Sequence, residues 1–240
     1  MCNCRGKSRI SVPHRKVQAI ARETMDVAQQ SIYPGQHLTA VRDLCEETML
    51  SLGADSFWYR GIGAFVFCGK DTTLSVPGKS YETADRTIAS DDIITIDLSP
   101  QKDGLWGDFA RTIIVESGKP LLDSKLTQNT EWREGILAEE QLHAILINVA
   151  RPEMTFEELH TRMNAHVVEL GFENIDFLGN LGHSIERNSA DRIYIEPGNT
   201  RRLDETELFT FEPHIKRPDG EYGFKHENIY QFRGSTLDAI

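Results

Sequence analysis

The spacing of apolar residues in the first part of the chain predicts two consecutive helices and a strand. Between Val17 and Ile32 the apolar side chains recur every three or four residues, which places them on one face of a helix. The segment that begins at Leu38 repeats this pattern, and Gly53 stands where a helix C-cap is expected. Residues 56–68 are apolar and aromatic, and we predict a strand there.

The second half of the chain predicts the same order of elements. The run Glu131–Ala150 predicts a helix that links the halves. Thr155 and Glu158 have the spacing of a capping box, which opens a helix that Gly171 closes. We predict a further strand over residues 177–185. Because the last strands of each half have the pattern of hairpins, we expect an α/β (α+β) fold with a mixed, largely antiparallel curved sheet.

Matches between the two halves indicate an internal repeat. Pro34 and Pro152 lie 118 positions apart (152 − 34), and further pairs share this offset. Two helix-helix-strand-hairpin units related by a pseudo-twofold axis would bring both hairpins to the centre of the fold. The further pairs are Leu38 and Phe156, Val41 and Leu159, Leu52 and Leu170, and Gly53 and Gly171.

Each predicted hairpin places one carboxylate opposite another. With a four-residue loop in the first hairpin, Asp97 faces Asp108. Asp219-Gly220 is a strong turn signal, and a turn centred on it places Glu212 across from Glu227. Directly opposed like charges are destabilising, so four such carboxylates predict a site for two cations. Carboxylate-rich ligand sets suit Mn-like ions better than soft metals.

Composition narrows the class of protein. The chain has 240 residues and a net charge of −11, which argues against nucleic-acid binding. No apolar run is long enough for a membrane span or a signal peptide, and the four cysteines lack zinc-ribbon spacing. We therefore expect one domain over residues 1–240, with a short tail at about residues 1–11, in the cytoplasm and without membrane partners.

Five motifs in the chain carry the predicted ligands: Ile96-Asp97-Leu-Ser-Pro, Gly107-Asp108-Phe-Ala-Arg111-Thr112, Gly182-His183-Ser-Ile185, Phe211-Glu212-Pro213 and His226-Glu227. Together they resemble the pita-bread metallopeptidases, a family that includes methionine aminopeptidases, aminopeptidase P, prolidase and the non-peptidase creatinase. The resemblance covers nearly the whole chain. It implies a pseudo-symmetric α/β fold around two divalent metal ions, with Mn expected first and Co, Fe or Zn as alternatives.

The resemblance also implies roles for individual residues. A water held between two cations is deprotonated near neutral pH and attacks a polarised carbonyl carbon. Glu212 would be both a ligand and the proton shuttle of this reaction. The implied metal ligands are Asp97, Asp108, His183, Glu212 and Glu227.

Several residues depart from the family pattern. No histidine lies between His37 and His143, where peptidases of the family carry one, and Ile195 stands where a second is expected. His214 follows Glu212 by two positions, and such residues share a face of a strand, so His214 is a candidate second catalytic residue. The alternative is that Pro213 bends the strand and leaves His214 exposed. The segment between the predicted ligands His183 and Glu212 contains arginines that could bind a substrate carboxylate: Arg187, Arg192, Arg201 and Arg202.

Three functions fit this pattern. The first is an aminopeptidase of the Xaa-Pro type, because residues 107–112 resemble aminopeptidase P and prolidase more than methionine aminopeptidase. The second is a creatinase-like hydrolase or lyase of a small non-peptide amide, which the missing histidines and His214 favour. The third is a non-catalytic binding protein, ranked last because all five ligands are present. The substrate is thus a peptide or a small amide, and homodimer formation stays open.

Overall fold

Four long helices form where the apolar spacing predicts them. The computed structural model describes residues 12–240, so the predicted N-terminal tail lies outside the described residues. The predicted capping box is present, since the Thr155 hydroxyl accepts a hydrogen bond from the Glu158 N–H at 3.1 Å. Gly53 and Gly171 follow their helices with φ angles of 102° and 84°, a region that favours glycine. The helices are α1 (Val12–Ser31), α2 (Leu38–Ser51), α3 (Thr130–Val149) and α4 (Phe156–Glu169).

The described part of the first half contains seven strands: β1 (Ser56–Phe57), β2 (Ala64–Cys68), β3 (Asp92–Leu98), β4 (Pro100–Lys102), β5 (Leu105–Trp106), β6 (Phe109–Glu116) and β7 (Lys119–Pro120). One sheet has the order β2-β3-β6-β7 and another the order β1-β4-β5. The strand predicted over residues 56–68 is therefore divided between two sheets. Arg60 and Gly61 separate its parts, because both take positive φ angles, 59° and 74°, that turn the chain.

The second half contains six strands: β8 (Glu173–Asn174), β9 (Phe209–Phe211), β10 (His214–Lys216), β11 (Gly223–Lys225), β12 (Asn228–Arg233) and β13 (Thr236–Ala239). The order β8-β10-β11 matches β1-β4-β5 of the first half. Residues 183–184 lie beside β9, to which Ser184 bridges. With this segment placed first, the order residues 183–184, β9, β12, β13 matches β2-β3-β6-β7 of the first half. This correspondence confirms the predicted internal repeat.

The prediction of a strand over residues 177–185 is wrong. The Asp176 carboxylate accepts hydrogen bonds from two backbone N–H groups of the following turn, at 2.9 and 3.2 Å, and this local pairing replaces a strand ladder. Within the described chain, this segment forms single β-bridges, which join His183 to Tyr194 and Ser184 to Phe209.

The register of the second hairpin agrees with the prediction. Strand β10 pairs with β11, and β9 with β12, in one continuous register that sets Glu212 opposite Glu227 between the two ladders. The turn differs from the prediction. The last pair joins Lys216 to Gly223, so a longer loop over residues 217–222 replaces the tight Asp-Gly turn.

The register predicted for the first hairpin is wrong by two residues. Asp97 pairs with Ala110 and not with Asp108. The reason is the turn, because Asp103 and Gly104 take φ angles of 53° and 74° and close a tight two-residue loop where four residues were expected. Asp108 and Ala110 point to the same face of the sheet, so both carboxylates still lie on one side.

The helices cover the sheets and bury the apolar core. One cluster packs α1 and α2 against β2, β3 and β6, and a second packs α3 and α4 against the strands of the second half. All pairs of named strands are antiparallel. These features confirm the predicted α/β fold with largely antiparallel sheets. Among residues 12–240, no helix combines the length and apolar character needed to cross a membrane.

Candidate metal centre

The predicted ligands come from strand ends at the junction of the two halves. Asp97 lies near the end of β3 and Asp108 just before β6, while Glu212 follows β9 and Glu227 precedes β12. His183 reaches the same place from its bridged segment. Ligand atoms of Asp97, Asp108 and Glu227 all lie within 4.8 Å of one another. The structure therefore brings all five residues together, beside a cavity of about 160 Å³.

Hydrogen bonds fix the two halves to each other at this point. The Glu227 N–H donates to the Ala110 carbonyl at 3.0 Å. The half-buried Arg111 guanidinium donates to the Glu227 carbonyl at 2.7 Å and to the Asn228 side chain at 2.8 Å. Because these bonds hold the backbone of a predicted ligand, the relative position of the halves is set at the centre itself.

Glu227 is the most informative of the four carboxylates. It is 0% exposed, and neither of its carboxylate oxygens has a hydrogen-bond partner among residues 12–240. Burial, together with the charges of Asp108 and Glu212, raises the pKa of Glu227 well above its ordinary value. Burial and the neighbouring Asp97 and Glu212 raise the pKa of Asp108 in the same way. An ionised carboxylate without a partner is costly in a protein interior, so this cluster requires protons or cations.

His183 directs an unprotonated nitrogen at the carboxylates. Its Nδ1 donates to the Ser184 carbonyl at 3.1 Å, so Nε2 of the neutral ring carries the lone pair. Nε2 lies 3.6 Å from a carboxylate oxygen of Asp108 and 3.6 Å from one of Glu212. Burial and, to a smaller extent, the charge of Arg192 lower the pKa of His183 to about 3, so the imidazole is neutral at pH 7. Neutral imidazole is the form that binds metal ions.

A pair of tryptophans packs against His183. The rings of Trp58 and Trp106 lie 4.2 Å apart, and each centroid lies 5.8 Å from the His183 ring. The Trp58 indole donates to the Gly107 carbonyl at 3.0 Å, and the Trp106 indole donates to the Glu186 carbonyl at 2.7 Å. These bonds fix both indoles, which in turn hold the imidazole in place.

Lys225 is a charged member of the centre that the sequence analysis missed. Its ammonium group contacts the Asp97 carboxylate and lies 3.3 Å from Glu212. Burial alone lowers the pKa of Lys225, but the carboxylates of Asp97 and Glu212 outweigh it and raise the pKa well above its ordinary value. A signal was present in the sequence, because Lys225 precedes Glu227 by two positions and such residues share one face of an extended strand.

The side chains of the centre fit divalent cations. Carboxylates with one neutral imidazole form the oxygen-rich set that hard and borderline divalent ions prefer. Four carboxylates exceed the single positive charge of Lys225, and cations would neutralise the remainder. The residues positioned to hold them are Asp97, Asp108, His183, Glu212 and Glu227.

Comparison with known sequences agrees with this geometry. The model of metallopeptidase family M24 matches residues 13–233, most of the chain. The chain belongs to metallopeptidase family M24. Membership confirms the predicted pita-bread resemblance and the predicted enzyme class, a metallopeptidase-like hydrolase. Metallopeptidases of family M24 use divalent metals, as the side chains of the centre require.

Curated relatives of this M24 chain include methionine aminopeptidases. The methionine aminopeptidase of Helicobacter pylori is 25% identical over 217 residues, which cover 86% of this chain and 79% of that protein. Methionine aminopeptidase A of Synechocystis is 26% identical over 208 residues, covering 84% of this chain and 76% of that protein.

Solved structures with the same fold include an X-Pro aminopeptidase and a prolidase. The X-Pro aminopeptidase of Thermotoga maritima superposes with a TM-score of 0.77 at 20% identity, covering 94% of this chain and 58% of that one. Prolidase from Pyrococcus furiosus gives a TM-score of 0.74 at 20% identity, covering 95% of this chain and 64% of that one. The chain therefore spans about three fifths of the length of these two proteins.

The two segments in which the sequence analysis found no expected histidine contribute other residues to the cavity wall. Ile195 is fully buried in the apolar core and does not line the cavity. Tyr194, one position earlier, bridges to His183 and does line it. Tyr194 thus stands at the place that the sequence analysis gave to Ile195. Val76, from the segment in which the first histidine is expected, lines the same cavity.

His214 lines the cavity on the face that its spacing from Glu212 predicts. Its Nε2 donates to the Thr72 carbonyl at 2.7 Å, and the Thr72 hydroxyl accepts from the Gly223 N–H at 2.9 Å. Burial and the charge of Lys225 lower the pKa of His214 to about 4, so the ring is neutral at pH 7. With Nε2 protonated, Nδ1 is the acceptor nitrogen of this ring.

The four arginines of the segment between His183 and Glu212 have different surroundings. Arg192 lines the cavity of the metal centre. Arg201 and Arg202 form exposed ion pairs with Glu205 and Asp204, at 3.3 and 2.6 Å. Arg187 is exposed.

Proposed function

We propose that this M24 chain is a dinuclear metal-dependent hydrolase that cleaves a peptide or amide bond. We take Xaa-Pro aminopeptidase as the leading activity and Mn as the leading metal. The observation that carries the proposal is the buried Glu227 carboxylate, which has no hydrogen-bond partner in the described chain and lies within ligand distance of Asp97 and Asp108. The likeness to an X-Pro aminopeptidase and a prolidase supports the leading activity.

The side chains around the cavity suit this chemistry. Two divalent ions, when bound, would supply a deprotonated water and a polarised substrate carbonyl. Glu212 would take a proton from the water and return it to the leaving nitrogen, and its position on the cavity wall supports this role. Lys225 lies 3.3 Å from one Glu212 oxygen and His183 lies 3.6 Å from the other, so both orient the carboxylate.

The test measures metal content and peptide cleavage on the same protein. Mn-loaded protein is incubated with a mixed peptide pool, and the products are identified by mass spectrometry beside a Glu212→Gln variant. We expect about two metal ions per chain by elemental analysis. We also expect loss of single N-terminal residues, above all before proline, with the wild type and not with Glu212→Gln.

A second candidate function rests on the two histidine positions. With Tyr194 and Val76 on the cavity walls, the imidazoles that position a peptide in relatives are missing. One oxyanion donor is typically worth about 3 kcal/mol, so their loss favours a creatinase-like hydrolase or lyase of a small amide. An unchanged peptide pool from protein that carries two metals would favour this second function. Protein that binds no metal would contradict both.

We further propose, from the sequence, the domain organisation, the location and the partners of this protein. Residues 1–240 would form one catalytic domain in the cytoplasm, with a peptide or small amide as substrate and no nucleic-acid or membrane partner. The net charge of −11 supports the absence of a nucleic-acid partner. Size-exclusion chromatography with light scattering would decide between a monomer and a homodimer.

A further inference from the structure

Arg192 lies among aromatic rings at the wall of the cavity. Its guanidinium carbon is 4.9 Å from the Trp58 ring centroid, 5.4 Å from that of Tyr194 and 5.5 Å from that of Tyr59. We call these three rings the aromatic cage. Aromatic faces attract a guanidinium and restrict its position, and Arg192 follows a short 3-10 turn over Ser189–Asp191 that supplies one more constraint.

Hydrogen bonding leaves one edge of this guanidinium available. Its Nε donates to the Ser189 carbonyl at 2.6 Å, which fixes the plane of the group. Among residues 12–240, no carboxylate lies within ion-pair distance of Arg192, and its terminal nitrogens donate no hydrogen bond. Arg201 and Arg202 differ, because each pairs with an acidic neighbour on the surface. Arg192 therefore presents donors suited to a planar, two-oxygen acceptor.

The charge of Arg192 reaches the metal centre. The same cavity contains Asp97, Asp108, His183 and Glu212. Because cations at the centre would already balance its carboxylates, and no carboxylate of residues 12–240 pairs with Arg192, its charge favours an anionic group on the substrate.

Apolar residues form another part of the cavity wall, so a substrate can place an uncharged portion there. Phe65, Phe67 and Leu74 line this part. A cavity of about 160 Å³ admits a small ligand and not a folded protein. The aromatic cage, the available guanidinium edge and the apolar wall thus define a subsite beside the metal centre.

We propose that Arg192 binds a carboxylate of the substrate, and that the substrate is a small peptide or amide that carries this group. The inference rests on the proposed hydrolase function. The carboxylate has two sources, the C-terminus of a dipeptide or the side chain of an acidic N-terminal residue. Arg192 is a binding and specificity residue in this assignment, distinct from the predicted metal ligands.

The test uses two matched substrate pairs with Mn-loaded protein. Ala-Pro and Ala-Pro amide differ in the terminal carboxylate, while Asp-Pro amide and Asn-Pro amide differ in the side-chain carboxylate. In one of the two pairs, we expect the compound with the carboxylate to have a kcat/KM about tenfold or more above that of its uncharged partner, mainly because its KM is lower. That pair identifies the source. Arg192→Gln should reduce this ratio to about one, and Arg192→Lys should give an intermediate ratio because it keeps the charge and loses the planar fork.

Controls separate this inference from folding and from the proposed function. Arg187→Gln removes the same charge from an exposed position of the same segment and should keep the wild-type ratio. Thermal unfolding and metal content of each variant check its fold and its centre. If no peptide is cleaved, the same four compounds serve as binding probes in calorimetry, where loss of discrimination in Arg192→Gln still supports the inference. A wild type that does not distinguish either pair, or an Arg192→Gln variant that keeps the wild-type ratio, would overturn it.

Discussion

Glu227 and Glu139 are both buried carboxylates without hydrogen-bond partners in the described chain, but their surroundings differ. Glu227 lies among three other carboxylates and His183 at the junction of the halves. Glu139 lies on α3, and burial raises its pKa well above the ordinary value although Lys225 and Arg111 act in the opposite direction. A single proton neutralises Glu139, whereas the carboxylates around Glu227 repel one another. The comparison shows that convergent like charges, and not burial alone, indicate a cation site.

The largest effect is expected from Asp108→Ala, which removes one carboxylate of the cluster. We expect loss of two-metal loading by elemental analysis and a fall in turnover of about 10³-fold, because bound metal supplies several kcal/mol of transition-state stabilisation. Asp26→Ala changes an exposed carboxylate on α1 and should have no effect on either measurement. Unchanged metal content in Asp108→Ala would remove the basis of the proposed centre.

Glu227→Gln tests the comparison at its central residue. It should also abolish two-metal loading, but it should raise the stability of the metal-free protein by about 1–3 kcal/mol, since a neutral amide replaces a buried unpaired carboxylate. Chemical denaturation of wild type and variant, each with and without metal, measures both effects. If added metal stabilises the variant as much as the wild type, Glu227 is not a ligand.

His214→Ala is expected to have a smaller effect, a fall in turnover of about tenfold or more, because the predicted role is that of a single acid or base group. His214→Asn is the matched variant, since an amide can still donate a hydrogen bond to the Thr72 carbonyl that His214 holds. We expect Asn to restore thermal stability but not turnover. A variant of wild-type turnover would leave His214 with a structural role only.

Glu139→Gln should change stability and its pH dependence without changing metal content. The folded-state pKa of Glu139 is raised above 4.5, so the folded protein holds a proton that the unfolded chain releases. The stability contribution of this group is therefore complete below pH 4.5 and is lost as pH rises toward the folded-state pKa, by at most about 1.4 kcal/mol per pH unit. Chemical denaturation of the metal-free proteins between pH 5 and 8 should show a flatter profile for Glu139→Gln. An identical profile in both proteins would show that Glu139 is ionised in the folded state.

Local sequence signals predicted the helices and the convergence of the acidic residues. The capping box at Thr155 depends on a few neighbouring residues, and so does the apolar periodicity that predicted α1 to α4. The repeat then supplied long-range information, because it implied that the hairpins carrying Asp97 and Glu212 meet. The first register was missed although Asp103-Gly104 carries the same turn signal that had been used for the second hairpin.

The remaining features depend on tertiary contacts that no local pattern contains. Glu139 stands in a polar run of α3 that resembles an exposed helix face, and only packing shows that it is buried. Tyr194 replaces Ile195 at the cavity because a turn before it sets which alternate residues face His183. The position of Arg192 depends on Trp58, which is more than a hundred residues away in the sequence.

The two indoles packed beside His183 give the protein an optical reporter of its own metal occupancy. Trp58 and Trp106 lie in contact distance of a predicted ligand, whereas Trp132 on α3, the third indole of the chain, packs against Tyr222. Paramagnetic ions such as Mn²⁺ or Co²⁺ at the centre should quench the emission of the first two strongly, and Zn²⁺ should not. Filling of the centre can therefore be followed by intrinsic fluorescence, with Trp132 as the constant background and no added dye.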